Sequence, residues 1–256
     1  MQSLRRLADR HPVALAIGFA ALQFALTAAI LLGGRAALPP HAFGAVKLTA
    51  FASTIVLPLV LAHALGLWRS LGLEPSRVRP APVFLAGLVL VAMNLSCGPR
   101  AEVLAQWPTD LAVQFFNAFG EELLFRGVIF ALLLRLPVWQ ALLLNSVLFG
   151  GMHLLHGFMG LAWPEALQRA GLTMLGGALF TAVRYRSGSL WLAIALHMAL
   201  NLSVMYNDLA AVAGASALAF AHWFTPTLET AIAAWVAWSM RRPAARAHAL
   251  PSGVGC

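Results

Sequence analysis

Three ionisable side chains stand in the stretch Phe119-Gly-Glu-Glu-Leu-Leu-Phe-Arg-Gly127, inside a long apolar run. A charge at the centre of a bilayer costs about 2.5–3.5 kcal/mol on insertion scales, so Glu121, Glu122 and Arg126 together need a reason. On a helix Glu122 and Arg126 stand at i,i+4, where side chains meet on one face. Glu121 points about 100° away from Glu122 and keeps no local partner. A carboxylate in that position can serve as a general base.

Two later runs carry polar residues at helical spacing: Phe149-Gly-Gly-Met-His153, with His156 close behind, and His197-Met-Ala-Leu-Asn201. Polar residues within spans face the bundle interior as a rule, so Glu121, His153, His197 and Asn201 are expected around one cavity. Gly150, Gly151, Gly176 and Gly177 are expected to let the helices close in around it. The chemistry this set supports is hydrolysis by water. Glu121, helped by His153, would take the proton, while His197 and Asn201 would donate to the oxyanion of an attacked carbonyl. Ser146 and Ser203 are not placed as nucleophiles.

Two readings compete. In one, every polar residue is only a helix-packing hydrogen bond. In the other, glutamate and histidine bind zinc, but the short-spaced HExxH motif is absent and Arg126 beside the acids disfavours a cation. His11, His41, His63, His222 and His248 have no matching partners.

The elements that must position these residues are membrane helices. The 256-residue chain is 61% hydrophobic and 10% charged, against about 25% charged in soluble domains. The mean hydropathy is +0.80. The expected fold is therefore all-α: one integral-membrane domain over residues 1–256, a bundle of about eight transmembrane helices. The spans are placed at about Pro12–Leu32, Gly44–Trp68, Val83–Cys97, Thr109–Leu136, Val138–Leu155, Ala166–Val183, Ser189–Tyr206 and Ala210–Met240. Pro58 should kink the second, Thr109 or Asp110 should cap the fourth, and the last should break near Thr225-Pro226. The run 241–256 is a basic tail.

The net charge of +8 and pI of 11.2 would suggest nucleic acid in a soluble protein. Here the basic residues lie between apolar runs, which suits loops against anionic headgroups and excludes a nucleic-acid partner. With the N-terminus inside, the inner segments hold Arg5, Arg6, Arg10, Arg69, Arg77, Arg79, Arg135, Arg184, Arg186, Arg241, Arg242 and Arg246. The outer ones hold Arg35, Lys47, Arg100 and Arg169. This bias predicts both termini in the cytoplasm and a multi-pass protein of the inner (plasma) membrane. By helix rise His153 sits about 20 Å above the inner end of its span, and Glu121 about 18 Å below the outer end of its own. Cys97 and Cys256 belong to no paired motif, so no disulfide framework or zinc ribbon is expected.

The three motifs resemble those of the CAAX protease and bacteriocin-processing (CPBP) family, also called the Abi family of glutamic intramembrane endopeptidases. Its pattern of EExxxR, FxxxH and HxxxN or HxxxD is matched by Glu121-Glu122-Leu-Leu-Phe-Arg126, Phe149-Gly-Gly-Met-His153 and His197-Met-Ala-Leu-Asn201, in the same order. Arg186-Ser-Gly-Ser-Leu-Trp191 is similar as well. The likeness covers about residues 115–206, the expected catalytic core. It implies cleavage of a membrane-associated or lipid-modified protein or peptide, without metal or other cofactor. Glu121, Glu122, His153, His197 and Asn201 would be catalytic, with Arg126 and Phe149 in structural and charge-pairing roles. The alternatives are a non-proteolytic binding or immunity partner and a metal-dependent membrane hydrolase.

Overall fold

A computed structural model describes residues 2–74, 82–100 and 105–241. Arg77, Arg79, Arg242, Arg246 and Cys256, assigned above to loops and the tail, lie outside the described residues. Among those described, the chain is helical apart from turns and one isolated backbone bridge, Pro99 to Asn207.

The helices are α1 (Gln2–Arg10), α2 (Pro12–Ala37), α3 (Phe43–Leu65), α4 (Pro82–Asn94), α5 (Trp107–Glu122), α6 (Phe130–Leu133), α7 (Val138–Met152), α8 (Leu155–Phe158), α9 (Trp163–Ser187), α10 (Leu190–Tyr206) and α11 (Leu209–Arg241). A π-helical segment, Leu123–Ile129, joins α5 to α6. Three stretches are long and apolar enough to cross a membrane: Pro12–Ala37, Pro40–Leu65 and Val138–Phe158. The apolar helices α4 and α10 are shorter. At 1.5 Å per residue α4 covers only about 20 Å of a hydrocarbon layer about 30 Å thick.

Apolar side chains fill the core and also cover much of the outside. Val56, Val60, Leu85, Val89, Val147 and Val204 lie exposed on the outer faces, an apolar surface suited to lipid. Glu122, Arg126, Asn145, Thr181 and His197 are buried. The π-helical segment is the best-covered stretch, with all seven residues buried, against α3 on one side and α7, α9 and α10 on others.

Three expectations need correction. The start of α5 is not capped by Thr109 or Asp110. The helix begins after Gln106, with Pro108 in its first turn, where a missing N–H costs nothing. Asp110 instead accepts a hydrogen bond from the Tyr206 hydroxyl at 2.9 Å. The break in α11 falls at Gly214 (φ 79°, ψ 177°), and Pro226 lies inside helix. Gly214 adopts a conformation that a Cβ would resist, so the flexible residue, not the stiff one, takes the bend. Among the four glycines, Gly150 and Gly177 do permit close approach. A Cβ would come 2.5 Å from the Ala170 carbonyl oxygen at Gly150 and 2.9 Å from Phe149 at Gly177. At Gly151 a Cβ would meet open space, and at Gly176 only ordinary contact. Arg5, Arg6 and Arg10, counted above on the inner side, share a short helix of their own. They lie on α1, which docks through Arg5 on the Ala64 carbonyl (3.1 Å) and through Asp9 and Ala8 on Arg135 (2.6 and 2.9 Å).

Candidate active site

Arg126 is the anchor of the site, and its guanidinium has nowhere to turn. It is 1% exposed. Its Nη1 donates to Glu122 Oε1 (3.0 Å), Nη2 to the Gly177 carbonyl (2.9 Å) and Nε to Thr181 Oγ1 (3.3 Å). The face of the ion lies over the Phe149 ring at 4.0 Å and the Phe180 ring at 5.3 Å, favourable positions for a cation against π electrons. A planar fork satisfying a carboxylate, a carbonyl and a hydroxyl at once is a geometry lysine cannot reproduce. The Thr181 hydroxyl donates to the Gly177 carbonyl (2.7 Å) and also accepts from Asn145 (2.8 Å).

The α5–π–α6 helix thus carries the i,i+4 pair that the spacing predicts, and the pair fixes a third group. His197 of α10 donates from Nδ1 to the same Glu122 oxygen at 2.8 Å. Its Nε2 lies 3.8 Å from Glu121 Oε2. One imidazole therefore bridges the two neighbouring glutamates, a nitrogen to each. Phe180 stacks on this ring at 4.7 Å, nearly parallel, and Phe149 meets it edge-on at 6.0 Å. His197 is held by the stacked Phe180 ring and by the hydrogen bond from Nδ1.

The Glu121 side chain is 21% exposed, against 0% for Glu122. Glu121 Oε2 is itself buried and makes no hydrogen bond among the described residues. His153, at the end of α7, donates from Nδ1 to the Phe149 carbonyl (3.2 Å), and its ring packs on Phe149 at 5.3 Å. It shares the Phe149 ring with His197. Asn201 takes a different partner. Its amide nitrogen donates to Gln114 Oε1 of α5 at 2.9 Å, and Gln114 in turn reaches the Met205 sulfur at 3.2 Å. His156 stands apart, facing Arg169 at 3.5 Å.

The structure therefore brings Glu121, Glu122, Arg126, Phe149, His153 and His197 together, with Asn201 one helical turn away on Gln114. Sequence reasoning missed Gln114, Asn145, Phe180 and Thr181. Gln114 lies seven residues before Glu121, on the same helix face, and Asn145 eight before His153. A search for further polar residues at helical intervals from the motifs finds both. Phe180 carries no such signal.

Among the described residues no cluster of three or more His, Cys, Asp or Glu side chains has the arrangement to hold a metal ion. Glu122 Oε1 takes both donors, Arg126 and His197, while its buried Oε2 has no partner among the described residues.

A search of curated proteins gives no match. A family model described as type II CAAX prenyl endopeptidase Rce1-like matches residues 103–203, which include the first two motifs, the π-helical segment and the whole third motif. This match indicates a CAAX-type protease whose substrates are membrane-associated, and with the apolar helices it supports a membrane protein. Residues 103–203 are an Rce1-like domain of the CPBP family, the type II CAAX prenyl endopeptidases.

Proposed function

We propose that the chain is a glutamic intramembrane endopeptidase that cleaves a peptide bond of a membrane-associated or lipid-modified protein with a water activated by Glu121. The observation that carries this reading is the bridge of His197 between Glu122, fully buried and tied to Arg126, and Glu121, whose side chain is 21% exposed. One carboxylate orients; its neighbour is left to react.

The steps follow from these positions. Glu121, with His153 beside it, accepts a proton from water as the oxygen adds to the carbonyl carbon and the C=O electron pair moves onto oxygen. Glu122 keeps the proton of His197 on Nδ1, as the aspartate does in a serine protease triad. A second proton, on Nε2, gives the ring the positive charge that balances two glutamates against one arginine; it stays on the ring and forms a hydrogen bond to the new oxyanion. The second amide hydrogen of Asn201 joins it. Collapse of the tetrahedral species expels the amine, which takes the proton held by Glu121. Water and peptide are consumed, and an acid and an amine leave. No metal takes part in this scheme.

We also read eight crossings with both termini in the cytoplasm of the inner membrane. Contacts at the two ends support this. Segments assigned inside meet each other: Arg5 with Ala64, Arg135 with Asp9, Arg184 with Ser70, Arg186 with Ser239. Those assigned outside do likewise: Arg35 with Met159 (2.7 Å), Arg100 with Tyr206 (2.8 Å).

The test is Glu121→Gln in reconstituted protein, assayed on a peptide ending in a prenylated cysteine and three further residues. Loss of a general base removes about 10²–10⁴ of the rate. A Glu121→Gln variant that cleaves as fast as the parent sinks the assignment. A parent that cleaves nothing, yet whose biological effect survives both Glu121→Gln and His197→Ala, belongs to a binding protein instead.

A further inference from the structure

Asn117 is a polar residue of α5 that the reaction above does not use. At 100° per residue, Asp110, Gln114, Asn117 and Glu121 fall within about 60° of one another around this helix. Contacts on both flanks fix where the stripe points. On one flank Gln114 and Glu122 bond to α10; on the other Gly120 lies directly against Thr54 of α3. The stripe faces the wedge between α3 and α10. The opposite side of α5 carries Phe115, Phe116 and Phe119, which stack on one another and on Trp191.

Along the wedge the two helices pair rung by rung: Asp110 with Tyr206 at 2.9 Å, Gln114 with Asn201 at 2.9 Å, and Glu121 with His197 at 3.8 Å. Asn117 stands between the second and third rungs. It is half-buried and has no hydrogen-bond partner among the described residues. A carboxamide left unpaired in an apolar setting costs about 2–7 kcal/mol, and lipid chains offer it nothing. The same holds for Glu121 Oε2, one turn further in. Two polar residues on one face, Asn117 half-buried and without a partner and Glu121 with its side chain 21% exposed, describe a wet wedge.

We propose that this stripe floors a hydrophilic passage from the first turn of α5 to Glu121, and that the Asn117 carboxamide binds a backbone peptide group of the substrate lying in it. The second clause rests on the peptidase reading; the first does not. From Asp110 to Glu121 the passage is about 17 Å long by helix rise, which brings water to a reactive carboxylate deep in the bilayer. Asn117 precedes Glu121 by about 6 Å. Two residues of extended chain cover about 6.6–7.2 Å, so the peptide group it engages is two residues from the scissile bond. A carboxamide both donates and accepts, which matches the N–H and C=O that every residue carries. The contact would hold a polypeptide of any side-chain composition in an extended form.

Two measurements on the full chain decide the matter. In vesicles carrying the Cys97→Ala, Cys256→Ser protein, Asn117→Cys is treated with a charged, membrane-impermeant maleimide from each side. Phe116→Cys, at a site 50% exposed on the opposite face, is the lipid-facing control. The expected result is labelling of Asn117→Cys from the side where α5 begins, with none of Phe116→Cys. Equal labelling of the two, or none of Asn117→Cys, overturns the passage. On the prenylated peptide, Asn117→Ala should raise KM about tenfold with kcat within about twofold, the size of one lost hydrogen bond, and Asn117→Gln should recover part of it. An unchanged KM for Asn117→Ala overturns the backbone contact. If the parent protein cleaves no such peptide, the peptidase reading fails, while the labelling still decides the passage.

Discussion

Arg126→Lys keeps the positive charge and removes the fork. The guanidinium satisfies three acceptors on two helices, Glu122 of its own helix and Gly177 and Thr181 of α9. A lysine ammonium is a point donor on a flexible stem and can stay with Glu122, but it cannot also reach across to both groups on α9. Hydrogen bonds from a charged donor contribute about 1.5–3 kcal/mol each. Two of them are lost, and Gly177 and Thr181 partly satisfy each other afterwards. A destabilisation of about 3 kcal/mol is the balanced figure. For a chain of this size 1 kcal/mol moves Tm by about 2–4 °C, so thermal unfolding followed by tryptophan fluorescence should drop by about 6–12 °C. Activity should fall further than stability explains, because Glu122 then has a mobile partner and no longer holds His197 still. An Arg126→Lys protein with parental Tm and turnover would show that the charge alone matters and that the three-way geometry is incidental.

Further outcomes follow from neighbouring contacts. Thr181→Val should cost about 1–3 kcal/mol by unfolding measurements, since Arg126 and Asn145 both lose their acceptor in a buried site; Thr181→Ser should restore most of it. Gly177→Ala puts a methyl 2.9 Å from Phe149 and 3.2 Å from Arg126, so overpacking should cost about 1–3 kcal/mol and lower turnover through Arg126. Arg135→Ala breaks the 2.6 Å pair with Asp9, whose side chains are 44% and 65% exposed. Such surface pairs contribute under about 1 kcal/mol, and peptide cleavage should be unaffected.

The all-helical class was legible from hydropathy, because a bilayer admits only segments that satisfy their own backbone; the short α1 and the π-helical segment were not. The Glu122–Arg126 pair was legible too, since i,i+4 spacing is a local matter. The partner of His197 was not. Spacing on one helix places Glu121 and Glu122 about 100° apart, but it does not say which of them a ring on another helix meets, and here the ring is wide enough to reach both. Asn201 was assigned to the reacting carbonyl on spacing from His197, yet a glutamine two turns before Glu121 competes for the same amide. That competition depends on the phase of α5 against α10, which no local pattern reports. The bend at Gly214 was obscured for a related reason. Proline is the stronger breaker in isolation, but α11 keeps its course through Pro226 and turns where a residue without Cβ allows it.

The widened turn at Leu123–Ile129 has a consequence of its own. A helix with bonds reaching one residue further than usual holds one more residue than its length requires. Everything beyond it is shifted in phase relative to everything before. Taking a single leucine out of Leu123 or Leu124 would relax that stretch to an ordinary coil of the same greasiness and nearly the same reach. It would also twist the arginine off the axis it shares with its acid. Hydrophobic profile, insertion and gross dimensions would survive, and the machinery would be scrambled by one missing letter.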